Sequence, residues 1–150
     1  MPRRKTSSQC WGTPPALLKE INKEFDNPVD VVPFPRPEGY DALTVDWPKN
    51  SFANPPYNDL KRFVPKMLVE AEKGARIVAL LPARLCAKYF GAMIRWGAQF
   101  RYFSAHLAYT DLDNSSIGPA SKAPFASILV ILDKQNRVSH KIYGTDYTLE

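Results

Sequence analysis

Cysteine and histidine are scarce in this chain, with two of each in 150 residues. Cys10 and Cys86 are far apart and His106 and His140 stand alone, so no zinc ligand set or redox pair is present and metal catalysis is not expected. Two isolated cysteines read as reduced thiols of an intracellular protein. No stretch approaches ~18 consecutive apolar residues, the length that spans a bilayer. The N-terminus also lacks the apolar core of a secretion signal. The expectation is a soluble, cytoplasmic chain with no membrane partner. Glycine is sparse too, seven residues against fourteen prolines, and Val31 to Pro35 contain none.

What is present suits one folded domain. Apolar residues make up 45% of the chain and aromatics 12%, enough for a single core at this length. The net charge of +5 favours an anionic partner such as nucleic acid. Part of that excess lies in Arg3, Arg4 and Lys5, within residues 1–10, which read as a flexible basic N-terminus ahead of a domain over residues 11–150.

One segment points to a chemistry. Residues 51–60 read SFANPPYNDL, and Asn54-Pro55-Pro56-Tyr57 follows a short apolar stretch. Successive prolines hold φ near −65° and supply no N–H, so the chain leaves the strand stiffly as a platform of carbonyl acceptors. Asn54 adds a side-chain acceptor and Tyr57 a flat ring, a set suited to a planar group bearing an NH₂, such as an extruded adenine. As a bare tetrapeptide it is equally a turn, since asparagine and proline favour tight loops for backbone reasons alone. Its place after a strand and before a helical pattern weighs for the ligand reading, because open α/β sheets bind ligands at the carboxyl ends of their strands.

Around it the periodicities predict the following elements. Thr13 with Pro14 and Pro15 reads as a capped helix start, with Ala16, Leu17, Ile21 and Phe25 on one apolar face. Pro28 to Phe34 reads as a strand interrupted by Asp30, and Pro35 to Lys49 as a loop carrying at most a short strand near Ala42–Val45. A helix over Asn58–Lys73 should bend or break at Pro65, and Gly74 should close it. Residues 75–82, ARIVALLP, and Ala126–Leu132 are almost continuously apolar, as in strands buried on both faces. Leu85–Gly97 reads as a helix and Phe100–Ala105 as a strand. The polar stretch between Ala105 and Phe125 is longer than an ordinary connection and is expected to flank the active site. Alternating strands and helices predict an α/β fold: a Rossmann-like, mainly parallel sheet with helices on both faces, in one compact domain.

The ordered segments WGTPP (Trp11–Pro15), DALTVDW (Asp41–Trp47), FANPPY (Phe52–Tyr57), VALLPAR (Val78–Arg84) and KAPFASILVI (Lys122–Ile131) resemble the phage-type Dam family of DNA N-6-adenine methyltransferases. The resemblance implies a Rossmann-like fold that binds S-adenosylmethionine and passes its methyl group to the exocyclic amino nitrogen of adenine in DNA. If the chain is phage-encoded, it acts in the bacterial host cell. By the same resemblance Asn54, Pro55, Pro56 and Tyr57 form the catalytic segment. Asn54 and the Pro55 carbonyl would accept from the target amino group while Tyr57 stacks on the base.

Trp11, Thr13 and Pro14 match the family's N-terminal stretch at the cofactor pocket. Asp30 and Asp46 are candidates for the methionine ammonium or the ribose hydroxyls, and Arg84 for a DNA phosphate. The chain departs from typical amino-methyltransferases after the first strand, where Val31-Val32-Pro33-Phe34-Pro35 replaces a glycine-rich turn. Two alternatives stand beside the main reading: a catalytically silent nucleic-acid-binding relative, and an amino-methyltransferase acting on RNA or protein.

Overall fold

The computed structural model describes residues 11–111 and 124–150. The N-terminal tail over residues 1–10 and the greater part of the long polar stretch lie outside the described residues.

The chain runs β1 (Trp11–Gly12), α1 (Pro15–Glu24), β2 (Val29–Asp30), β3 (Asn50–Ala53), α2 (Leu60–Glu72), β4 (Arg76–Pro82), α3 (Lys88–Trp96), β5 (Gln99–Tyr102), β6 (Thr110–Asp111) and β7 (Ser127–Leu132). Five strands form one mixed sheet in the order β2-β3-β4-β7-β5, and β1 pairs with β6 in a separate two-stranded ribbon. β2, β3 and β4 are parallel neighbours, whereas β7 is antiparallel to both β4 and β5. β5 therefore runs in the direction of β4, and the expected mainly parallel character holds in part: β2, β3, β4 and β5 point one way and β7, inserted between β4 and β5, is reversed. A strand such as β7, apolar after Ser127 and buried at every position, reports that both its faces are covered and says nothing about its direction.

From β3 through α2 to β4, and from β4 through α3 to β5, the chain moves the same way across the sheet. Right-handed crossovers of that kind place both helices on one face, and α2 packs on α3. The core covers both faces of the sheet, since Ile77 and Leu80 project to opposite sides of β4, and Phe52, Met67, Phe90, Met93 and Leu132 are buried with them.

Several local expectations change. The cap of α1 is Pro14, with Pro15 in the first turn, and no side chain caps the helix, so the Thr13 hydroxyl is engaged elsewhere. After α1, Asp26 and Asn27 take φ of 56° and 51°, a left-handed pair that short Asx side chains tolerate. The strand expected over Pro28–Phe34 shrinks to two exposed residues at the sheet edge. Residues 42–45 make a turn instead of a strand: the Thr44 N–H donates to Asp41 O at 3.1 Å, and the Leu43 N–H to Asp41 Oδ1 at 3.0 Å.

α2 runs unbroken past Pro65, which lies on its exposed side. There water can satisfy the Lys61 carbonyl that proline leaves without a donor. α3 ends at Gly97 with φ of 100°, the left-handed cap that glycine adopts without penalty.

Candidate active site

Parallel β2, β3 and β4 deliver three chain exits to one edge of the sheet: Val31 after Asp30, Asn54 after Ala53, and Ala83 after Pro82. Asn54 to Tyr57 thus leave the sheet at its carboxyl edge, as expected from the sequence. The Asp59 N–H donates to Pro56 O at 3.0 Å, so the second proline carbonyl closes the turn into α2. Among the described residues no N–H donates to the Pro55 carbonyl, which keeps its acceptor capacity. Asp59 caps α2 by position alone, its carboxylate being held instead by Arg62 Nε at 2.7 Å.

Beside this turn lies a cavity of about 330 Å³. One wall is Val32, Pro33, Phe34 and Arg36 with the Tyr40–Leu43 turn; the other is Asn54, Pro56, Asp59, Arg62 and Phe63. The loop after β2 makes its wall by folding back on itself, with Gly39 at φ of 73° and the Tyr40 hydroxyl donating to Val31 O at 2.6 Å. Burial first, then the charges of Asp30 and Asp41, raise the Tyr40 phenol above its ordinary range, so it stays a donor.

The far end of this loop is pinned from α2. Trp47 Nε1 donates to Ala42 O at 2.8 Å, the Trp47 N–H to Glu70 Oε2 at 3.2 Å, and Lys66 Nζ to Val45 O at 2.6 Å. Glu70 is buried, which alone would raise its carboxyl. Hydrogen bonds from Lys66 and Lys73, with the Trp47 N–H, override that and hold it below its ordinary range.

Asn54 and Tyr57 are both held by residues that flank the ribbon, Thr13 after β1 and Tyr109 before β6. Asn54 Nδ2 donates to Thr13 Oγ1 at 3.1 Å, and the Tyr57 hydroxyl donates to the Tyr109 hydroxyl at 3.0 Å. The Tyr109 hydroxyl in turn lies 2.7 Å from Ser127 Oγ at the start of β7. The Tyr57 ring is 4% exposed and meets Phe125 edge-on at 5.4 Å between centroids, so neither face is open in this conformation. Burial raises the phenols of Tyr57 and Tyr109, keeping both protonated.

The remaining candidates are spread out. Thr13 meets Asn54, and Pro14 begins α1; neither lines the cavity. Trp11 opens β1. Asp30 is exposed on β2 at the flank of the carboxyl edge, where its Oδ1 accepts from the Val32 N–H at 2.9 Å. The protein packed about its carboxyl raises its pKa, and the Val32 bond partly offsets that. Asp46 precedes the amino end of β3, so it sits at the opposite edge of the sheet, 2.9 Å from Lys73 Nζ. Arg84 is exposed at the turn after β4.

Tyr40, Asp41, Asp59 and Phe63, none of them singled out from the sequence, form much of the cavity wall. Of these only Asp41 falls in a segment that carries the family resemblance, Asp41–Trp47, within a stretch that reads as a loop with at most a short strand near Ala42–Val45. Among the described residues no cluster could hold a metal ion, and no helix is long and apolar enough to cross a membrane.

No curated protein and no solved structure matches the chain. The family model for DNA N-6-adenine-methyltransferase (Dam) matches residues 3–146, nearly the whole length, and the chain belongs to this family of DNA-methylating enzymes.

Proposed function

We propose that the protein transfers a methyl group from S-adenosylmethionine to the exocyclic amino nitrogen of adenine in DNA, on a Rossmann-like fold with the reaction at its carboxyl edge. The observation that carries this reading is that Asn54 belongs at once to the rigid acceptor turn and to the wall of the cavity. Methyl donor and target nitrogen would then meet at one side chain.

The cavity fits the methyl donor. Its volume lies near the lower end of the ~300–1,000 Å³ typical of ligand pockets. Apolar walls from Val32, Ala42, Leu43 and Phe63 suit an adenosine, and the Asp41 carboxylate suits ribose hydroxyls or a cationic amino-acid end, whereas the Asp59 carboxylate in the same wall is already paired with Arg62. Tyr40, Asp41, Leu43 and Phe63 would hold the cofactor, which supplies a methyl on positive sulfur. Val32, Pro33 and Phe34 would thus serve as a wall in place of a glycine-rich turn.

The protein's own contribution is positioning and charge. Asn54 Oδ1 and the Pro55 carbonyl accept from the target amino group and stabilise positive charge as it grows on nitrogen. Pro56 stiffens the turn and closes it into α2. Tyr57 stacks on the base once Phe125 moves off its ring, and Arg84 at the same edge contacts a phosphate of the DNA.

Asn54→Ala tests the reading. Methyl transfer should fall by about 100-fold or more, the scale of losing one transition-state hydrogen bond. Calorimetry should show S-adenosylmethionine still binding within a few-fold of the parent. Transfer retained within a few-fold by the variant would refute the role of Asn54.

A further inference from the structure

The Asn54–Tyr57 turn is gripped at both ends by one small element. In the β1–β6 ribbon Gly12 is the partner of Thr110, and Thr13 follows the one directly while Tyr109 directly precedes the other. Thr13 accepts from Asn54 Nδ2 at 3.1 Å, and Tyr109 accepts from the Tyr57 hydroxyl at 3.0 Å. Ribbon and turn are therefore a single hydrogen-bonded unit. The Thr13 hydroxyl caps no helix, because α1 begins from Pro14 without a side-chain cap.

A threonine hydroxyl both donates and accepts, so its bond to the Asn54 amide fixes where that side chain sits without depending on which arm of the amide faces it. The bond ties an acceptor of the turn to a residue 41 positions away in the chain. We propose that Thr13 is a positioning residue for methyl transfer, acting through Asn54 by anchoring its side-chain amide where the substrate amino group is met. The proposal rests on the methyltransferase reading above and gives Thr13 a task separate from holding the cofactor, in keeping with its absence from the cavity wall.

Thr13→Val keeps the branched shape and deletes the acceptor, while Thr13→Ser restores it. At saturating DNA and cofactor, kcat of Thr13→Val should fall about 10- to 100-fold, as misplacement of a reacting group does. Its Kd for S-adenosylmethionine should stay within twofold and its Tm close to the parent's. Thr13→Ser should recover most of kcat. NMR of the Asn54 side-chain amide, recorded without DNA or cofactor, should show slow hydrogen exchange in the parent and Thr13→Ser and fast exchange in Thr13→Val.

Full kcat in Thr13→Val overturns the proposal, as does a loss found wholly in cofactor affinity. A parent that transfers no methyl group refutes the methyltransferase reading instead. The anchoring of Asn54 by Thr13 is then judged by amide exchange alone, and equal exchange in parent and Thr13→Val overturns it.

Discussion

Tyr57 lies where packing and function are hardest to separate, and two substitutions pull them apart. Its ring is 4% exposed among Tyr109 and Phe125, and its hydroxyl donates to Tyr109 at 3.0 Å. Tyr57→Phe deletes only the hydroxyl. One intramolecular hydrogen bond contributes about 0.5–1.5 kcal/mol net. Tyr109 keeps its contact with Ser127 Oγ, so the lower part of that range applies.

Tyr57→Ala removes the whole ring from a close-packed site, at a cost of about 3–5 kcal/mol. For a domain of this length each kcal/mol shifts Tm by about 2–4 °C. The phenylalanine variant should therefore melt within about 3 °C of the parent and the alanine variant about 6–20 °C below it. Differential scanning calorimetry measures both.

Methylation measured below the melting range of the alanine variant isolates function from stability. Tyr57→Phe should act within a few-fold of the parent, because base stacking, worth about 1–3 kcal/mol, resides in the ring. Tyr57→Ala should lose most activity even while folded. Equal loss of activity in the two variants would place the function in the phenol oxygen and refute stacking, and an unchanged Tm for Tyr57→Ala would refute the burial argument.

Two further outcomes test the surroundings of the site. Asp41→Ala, in the cavity wall, should weaken S-adenosylmethionine about 10- to 150-fold in calorimetry, the equivalent of a lost charge-assisted hydrogen bond of about 1.5–3 kcal/mol. Asp46→Ala, at the opposite edge, should leave that affinity within twofold. Because the folded-state pKa of Glu70 is depressed, its contribution to stability is present above its unfolded value and is lost as pH falls through the folded one. Urea midpoints should therefore decline below about pH 4.3. Glu70→Gln should flatten that decline and lower stability at neutral pH by roughly 3 kcal/mol, the lower end for a broken buried pair because Lys73 is half exposed.

Sequence alone was enough for the features that depend on local chemistry. Two prolines after a strand make a stiff acceptor turn in any fold, and the family resemblance and the carboxyl-edge position of Asn54 follow from order along the chain. The apolar runs at residues 75–82 and 126–132 declare strands covered on both faces. Tertiary structure alone decided the relations between distant segments. A buried strand reads the same in either direction, so only pairing shows β7 antiparallel to β4 and β5.

An aspartate near a strand carries no mark of which end of the sheet it will occupy. Asp46 and Asp41, five residues apart, therefore go to opposite tasks, one paired with Lys73 and the other in the cavity wall. Thr13 looks like a helix cap by its neighbours and becomes the partner of Asn54, 41 residues away, because the ribbon carries it there. Hydrogen bonds across that separation are set by loop closure and packing of the whole chain, which no window of local sequence contains.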